Sequence, residues 1–200
     1  MNPFITTALL CLVFIAILAG IEYATRRLSL STELTRRVAH ISAGLFAIAL
    51  YKTLPLPLYI AVVALFIFLM AYSQWKNILT SVHQVKRKTF GEVYLPLGFL
   101  FALLITLHQP ENYIPSLLVI TLADSFAGLT SDFLKKARKT LRGSGVFALT
   151  TFVILILATS QLWYICLLIT AIVTLVERYS PRGSDNLTVP VATALLLVLF

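Results

Sequence analysis

Apolar residues fall in long runs along all 200 residues, separated by short polar or charged stretches. Continuous apolar runs with few charges mark helices surrounded by lipid rather than strands or surface helices. The runs predict spans near 4–21, 38–54, 56–72, 93–107, 113–130, 145–160, 162–177 and 187–200. The expected fold is therefore all-α, a polytopic bundle of about eight transmembrane helices forming one integral membrane domain over 1–200. Several runs hold about 15 residues rather than the roughly 20 that a span usually needs. The stretch 145–177 is broken only by Ser160-Gln161, so seven spans are the alternative count. One connection has a different pattern. In 73–90, Trp75, Ile78, Leu79, Val82 and Val85 recur at helical spacing, with Lys76, Asn77, Ser81, Gln84 and Lys88 elsewhere. This predicts an amphipathic helix lying in the headgroup region.

Composition supports the same class: 59% of residues are hydrophobic and 12% charged, against about a quarter charged in soluble domains. Cys11 and Cys166 both sit in apolar runs and read as small hydrophobes, with no disulfide or metal site. No Lys or Arg precedes the first apolar run, so it is expected to be a retained helix rather than a secretory signal.

The net charge is +8, and the placement of the basic residues gives it meaning. All but Lys52 of the 16 Lys and Arg residues lie in the alternate connections 22–37, 73–92, 131–144 and 177–186. An eight-span chain puts these four connections on one side, and the positive-inside rule makes that side cytoplasmic, with both termini on the other. The same placement excludes a nucleic-acid partner, since no soluble basic surface carries the charge. Nothing in the pattern indicates an oligomer.

Candidate chemistry gathers on that cytoplasmic side. Asp124 lies inside the run Leu117–Gly128, and an ionisable group in a span costs about 2.5–3.5 kcal/mol on insertion scales. Thr121, Asp124, Ser125, Gly128, Ser131 and Asp132 follow helical spacing as one polar stripe, either a site or a packing face of small residues. Asp124 is expected roughly 10 Å in from the cytoplasmic helix end. Lys139-Thr140-Leu141-Arg142-Gly143-Ser144-Gly145 precedes a helix, where free backbone N–H groups, glycines and positive charge suit phosphate; Ser144 as an N-cap is the plainer alternative. Arg36, His40 and Gly44 share a face, with Arg37 and Glu33 beside them; His40 is a candidate acid–base group or phosphate donor, and a topology signal with an interfacial histidine is the equal alternative. Arg87 and Glu92 lead into the fourth span; Glu92 is a candidate cation ligand or partner of a basic residue, or simply a solvated helix start where a carboxylate suits the dipole. Glu177, Asp185 and Asn186 bracket the last connection, with Asp185 or Asn186 a candidate cap. Carboxylates can hold Mg²⁺ beside phosphates, and basic groups can hold the phosphates themselves.

Five segments in order carry a resemblance. They are Glu33-Leu34-Thr35-Arg36-Arg37-Val38-Ala39-His40, the stretch Arg87–Gly98 containing Gly91-Glu92-Val93-Tyr94-Leu95-Pro96, Asp124-Ser125-Phe126-Ala127-Gly128, Lys139-Thr140-Leu141-Arg142-Gly143-Ser144, and Asp185-Asn186-Leu187-Thr188-Val189-Pro190. Together they resemble the polyprenol kinase family of dolichol, phytol and CTP-dependent diacylglycerol kinases, related to phosphatidate cytidylyltransferases. The resemblance implies transfer of the CTP γ-phosphoryl group to a membrane lipid alcohol, with Mg²⁺ or another divalent cation. It implies metal or nucleotide binding by Asp124, places Lys139 and Thr140 near the triphosphate, and lines the same pocket with Glu92, Asp185 and Asn186. With the residue readings above, the expected catalytic residues are Asp124, Lys139 and His40; the expected nucleotide contacts are Lys139, Thr140, Gly143, Ser144, Gly128, Arg36, Arg37, Arg87 and Asn186; the expected metal ligands are Asp124, Glu92 and Asp185. Two departures stand out: Arg142 replaces the glutamate of the family pattern Lys-Thr-x-Glu-Gly, and Ser131-Asp132-Phe133-Leu134 lack the usual glycines. A cytidylyltransferase-like enzyme acting on a lipid phosphate, and a non-catalytic lipid-binding or transport member with a degenerate nucleotide site, are the alternatives.

Overall fold

The computed structural model describes residues 3–28, 31–76, 90–133, 139–181 and 183–200. Among them the chain is all-α, with eight helices in two compact units, Met1–Lys88 and Thr89–Phe200. The first unit holds α1 (Pro3–Leu28), α2 (Thr32–Thr53) and α3 (Leu56–Lys76). Ser31 caps α2, its side chain accepting from the Leu34 N–H at 3.3 Å, and the chain leaves α2 just before Pro55, which disfavours helical geometry in the residue ahead of it. Phe14 of α1 is buried and stacks on Phe46 of α2 with ring centroids 4.3 Å apart. Much of α1 turns large apolar side chains outward, including Phe4, Leu12, Val13 and Ile15. Such exposure suits a lipid solvent better than water. Of the expected amphipathic helix over 73–90, residues 73–76 form the last turn of α3; 77–89, and with them Arg87, lie outside the described residues.

The second unit holds α4 (Gly91–Ile105), α5 (Pro110–Phe133), α6 (Leu141–Ala158), α7 (Trp163–Tyr179) and α8 (Asp185–Leu199). The slight break expected near Ser160-Gln161 is real: α6 ends at Ala158 and α7 begins at Trp163. α5 is composite. A 3-10 turn at Pro110–Asn112 leads into α-helix Tyr113–Leu118, a π-helical turn Val119–Ala123, and α-helix Asp124–Phe133. The core of this unit is built from Tyr113, Leu117, Ile120, Phe147, Leu155, Ile169 and Leu197, all fully buried. Asn112 ties the start of α5 to the end of α8, its Nδ2 donating to the Leu197 carbonyl at 3.0 Å. At the other end Asn186 joins the starts of α8 and α4, its Nδ2 donating to the Gly91 carbonyl at 2.7 Å. The two helices touch closely at Gly98, where a Cβ would collide with the Asn186 carbonyl oxygen and with Pro190.

Among the described residues eight helices are present, and four are long and apolar enough to cross a membrane: Phe4–Thr25, Leu56–Lys76, Pro110–Phe133 and Leu141–Ala158. The expectation of eight full-length spans is corrected on that point. α4 and α8 are apolar but have 15 residues each, about 22 Å of helix against about 30 Å of hydrocarbon. α2 starts at Thr32 rather than near 38, which brings Glu33, Arg36, Arg37 and His40 onto the helix itself.

Candidate functional site

The connectivity of the second unit brings the beginnings of α4, α6 and α8 to the end where α5 and α7 finish. Asn186 bonded to Gly91 sets the first pair. Arg178 near the end of α7 donates to Ser144 Oγ near the start of α6 at 3.2 Å. Three carboxylates meet in this layer. Asp124, Glu177 and Asp185 each place one oxygen within 4.8 Å of the others. Their exposures are 7%, 3% and 9%, so this is an interior cluster and not a solvated acidic face.

Each acid is placed for a local reason. Asp124 directly follows the π-helical turn. A π turn widens the helix by one residue and changes which side chains face inward beyond it, and such turns recur at functional positions. Asp185 opens α8, where a carboxylate is favoured by the helix dipole; its Oδ1 accepts from the Asn186 N–H at 3.1 Å. The tight turn before it requires Gly183, whose φ of 83° lies in the left-handed region. Glu177 stands in the last turn of α7.

Lys139 enters from the segment between α5 and α6. Its Nζ lies 2.7 Å from Glu177 Oε1 and 2.7 Å from Asp185 Oδ2, and it also donates to the Glu177 main-chain carbonyl. Burial works against its charge, but the facing Asp185 and Glu177 carboxylates outweigh that and hold the ammonium above the usual lysine range. One oxygen of the cluster is orphaned: Glu177 Oε2 is buried and has no hydrogen-bond partner among the described residues. An unsatisfied buried carboxylate oxygen is costly and calls for a ligand or counter-charge. Three carboxylates thus face a single lysine ammonium in this cluster. Hard oxygen donors of this kind fit a divalent cation such as Mg²⁺.

The expected site residues divide into groups. Asp124, Asp185 and Lys139 come together. Glu92 is half-buried in the first turn of α4 and does not belong to the set of three converging carboxylates among the described residues; Glu177 does. Thr140 caps α6, its Oγ1 accepting from the Gly143 N–H at 2.9 Å, and meets Ser131 Oγ at 3.2 Å. Thr140 thus fills the capping role weighed for Ser144. Gly143 is a packing glycine, since a Cβ there would come within 2.9 Å of Ser131 Oγ and 3.1 Å of the Ala127 carbonyl. The Ser144 N–H bonds back to the Thr140 carbonyl at 2.9 Å. Gly128 and Ser125 are buried; along the polar stripe Asp124 joins the carboxylates, and the Ala127–Ser131 turn packs on α6. Asp185 and Asn186 fall inside α8, and Ser184 takes the cap position without a side-chain bond. Arg142 is exposed on the first turn of α6. Arg36, Arg37 and His40 belong to α2 in the N-terminal unit, where Arg36 pairs with Glu33 at 3.1 Å.

The fold and this layer together define an all-α chain with helices of membrane-crossing character and a buried carboxylate–lysine cluster at one end of its C-terminal unit. Comparison with protein-family models, curated proteins and solved structures gives no match.

Proposed function

We propose that this chain is a multi-pass membrane enzyme that uses a divalent cation to transfer the γ-phosphoryl group of CTP to the hydroxyl of a membrane lipid alcohol. The observation that carries the proposal is the buried Asp124–Glu177–Asp185 cluster with its orphaned Glu177 oxygen. The five ordered segments resembling the polyprenol kinases support the substrate classes. All eight helices traverse the bilayer in this proposal, the 15-residue α4 and α8 spanning a locally thinned or laterally enclosed region. The basic connections and the cluster then face the cytoplasm, with the termini opposite. Reporter fusions after Lys52 and within 134–138 should report opposite sides; the same side for both would overturn the topology.

Asp124, Glu177 and Asp185 would hold the cation, which supplies neutralisation of phosphate charge when bound. The lipid oxygen bonds to the γ-phosphorus as the bond to the β–γ bridging oxygen breaks; CDP leaves and the hydroxyl proton passes to solvent. Lys139 and the first-turn Arg142 supply positive charge on the approach side. The chain's own contribution is positioning and charge, which is most of what phosphoryl transfer requires.

The test uses purified protein in nanodiscs with Mg²⁺, γ-labelled CTP and a panel of polyprenol, phytol-like and diacylglycerol acceptors. Label should enter one lipid and be lost in Asp124→Asn. No label in any lipid from folded protein would overturn the proposal. Label from α-labelled CTP would instead identify a cytidylyltransferase.

One observation favours a second reading, a cation-binding or transport protein without nucleotide chemistry. The turn expected to cradle phosphate has its Gly143 and Ser144 N–H groups bonded to Thr140. Divalent binding with no thermal shift from CTP, ATP or GTP would select it.

A further inference from the structure

Lys139 is not poised at the rim of the carboxylates; it bonds two of them. Its ammonium takes Glu177 Oε1 and Asp185 Oδ2, each at 2.7 Å. Those two residues, with Asp124, are the oxygen donors a cation would use. An ammonium and a divalent cation cannot share the same carboxylate oxygens at contact distance without strong repulsion. We propose that Lys139 is a tethered competitor of the divalent cation: cation binding displaces its ammonium from Glu177 and Asp185, so that the lysine becomes available to an anionic substrate only once the cation is in place. This deepens the cation reading above and rests on it.

Three features support the exchange. Lys139 stands in the non-helical segment before α6, so its side chain is not locked on a helix face. Its side chain keeps 30% exposure, against 5% and 12% for Glu177 and Asp185; it alone of the three has a way out. Third, the cluster retains an acceptor that the lysine does not satisfy, Glu177 Oε2. A single-point ammonium therefore answers only part of the site, and a cation with several coordination positions answers more of it. A tethered ammonium acts at a high effective concentration, so the exchange sets a threshold: low divalent concentration leaves the lysine paired, and higher concentration releases it.

The experiment measures Mn²⁺ binding to the full chain in nanodiscs by electron paramagnetic resonance, for wild type and Lys139→Gln. Removing the competitor should tighten Mn²⁺ binding roughly tenfold or more. Equal or weaker binding by Lys139→Gln, with wild type binding normally, overturns the exchange and leaves the cation site standing. No Mn²⁺ binding by folded wild type overturns both. Should Lys139→Gln not fold, wild type decides alone. Acetylation of Lys139 by an amine-reactive ester, followed by mass spectrometry, should quicken severalfold when Mn²⁺ is added; an unchanged or slower rate overturns the exchange.

Discussion

Glu177→Gln should stabilise the protein in the absence of divalent cations and abolish its stabilisation by them. The substitution keeps shape and removes one charge from a residue only 3% exposed. Three contributions compete. Attraction between Glu177 Oε1 and Lys139 Nζ at 2.7 Å is about 6 kcal/mol at an effective dielectric of about 20. Repulsion from Asp124 and Asp185, whose oxygens lie within 4.8 Å, is about 3.5 kcal/mol or more for each on the same scale. These nearly cancel, and the cost of keeping a buried carboxylate charged then decides the sign. Glutamine retains an oxygen that accepts from Lys139, and its amide donates toward the neighbouring carboxylates where Oε2 has no partner. The net gain in EDTA is about 1–3 kcal/mol. Saturating divalent cation at about a hundred times Kd adds about 2.7 kcal/mol to wild type and little to the variant, so the order of stabilities narrows or inverts. The assay is unfolding in detergent, by intrinsic fluorescence, in EDTA and across a Mg²⁺ series. A loss of more than about 2 kcal/mol in EDTA would show that the lysine attraction dominates. An undiminished Mg²⁺ response would remove Glu177 from the site.

Gly98→Ala should destabilise by about 1–3 kcal/mol, because its Cβ meets the Asn186 carbonyl and forces α4 and α8 apart; a neutral or higher melting temperature would refute the close approach. Thr140→Ala removes the cap on the Gly143 N–H and should cost about 1 kcal/mol, with Thr140→Ser recovering most of it in the same melt. The raised pKa of Lys139 sets the alkaline limit of this layer: its contribution is fully present below the ordinary lysine pKa and is lost as pH rises through the higher folded value. Stability referred to Lys139→Gln should therefore be flat from neutral pH to about 10 and fall only above that; a decline beginning near pH 8 would contradict the pairing.

The helices were legible because lipid-facing and core-facing positions are both apolar, so each appears as a run whatever its environment. That same property hid which runs are full-length: α4 and α8 look like the others until their ends are fixed by the contacts at Gly91, Asn186 and Gly98. Asp124 was legible because a charge inside an apolar run is expensive. Glu177 was not singled out, because at the end of its run, beside Arg178, it resembles an ordinary helix boundary. Its importance depends on Lys139, 38 residues away, and no local pattern encodes that meeting. Gly143 carries a packing role that no local pattern shows. A glycine near a helix start between basic residues suggests a phosphate turn, and its hydrogen atom in place of Cβ also lets Ala127 and Ser131 approach.

The location of Arg142 changes what its departure from the polyprenol kinase pattern means. A reversed charge among the ligands would oppose a cation directly. Arg142 is exposed, while its neighbour Gly143 is buried against α5, and the three carboxylates come from α5, α7 and α8. None of them depends on position 142. The arginine therefore adds positive charge to this end of the unit, where Arg178 also stands, and the acids form a buried cluster beside that basic rim. Under the proposed function the two would attract different things, the basic rim a polyanion and the acidic cluster a cation. Lys139 belongs to the rim by sequence and to the interior by contact. Under the proposed exchange it is the residue through which occupation of one is felt by the other.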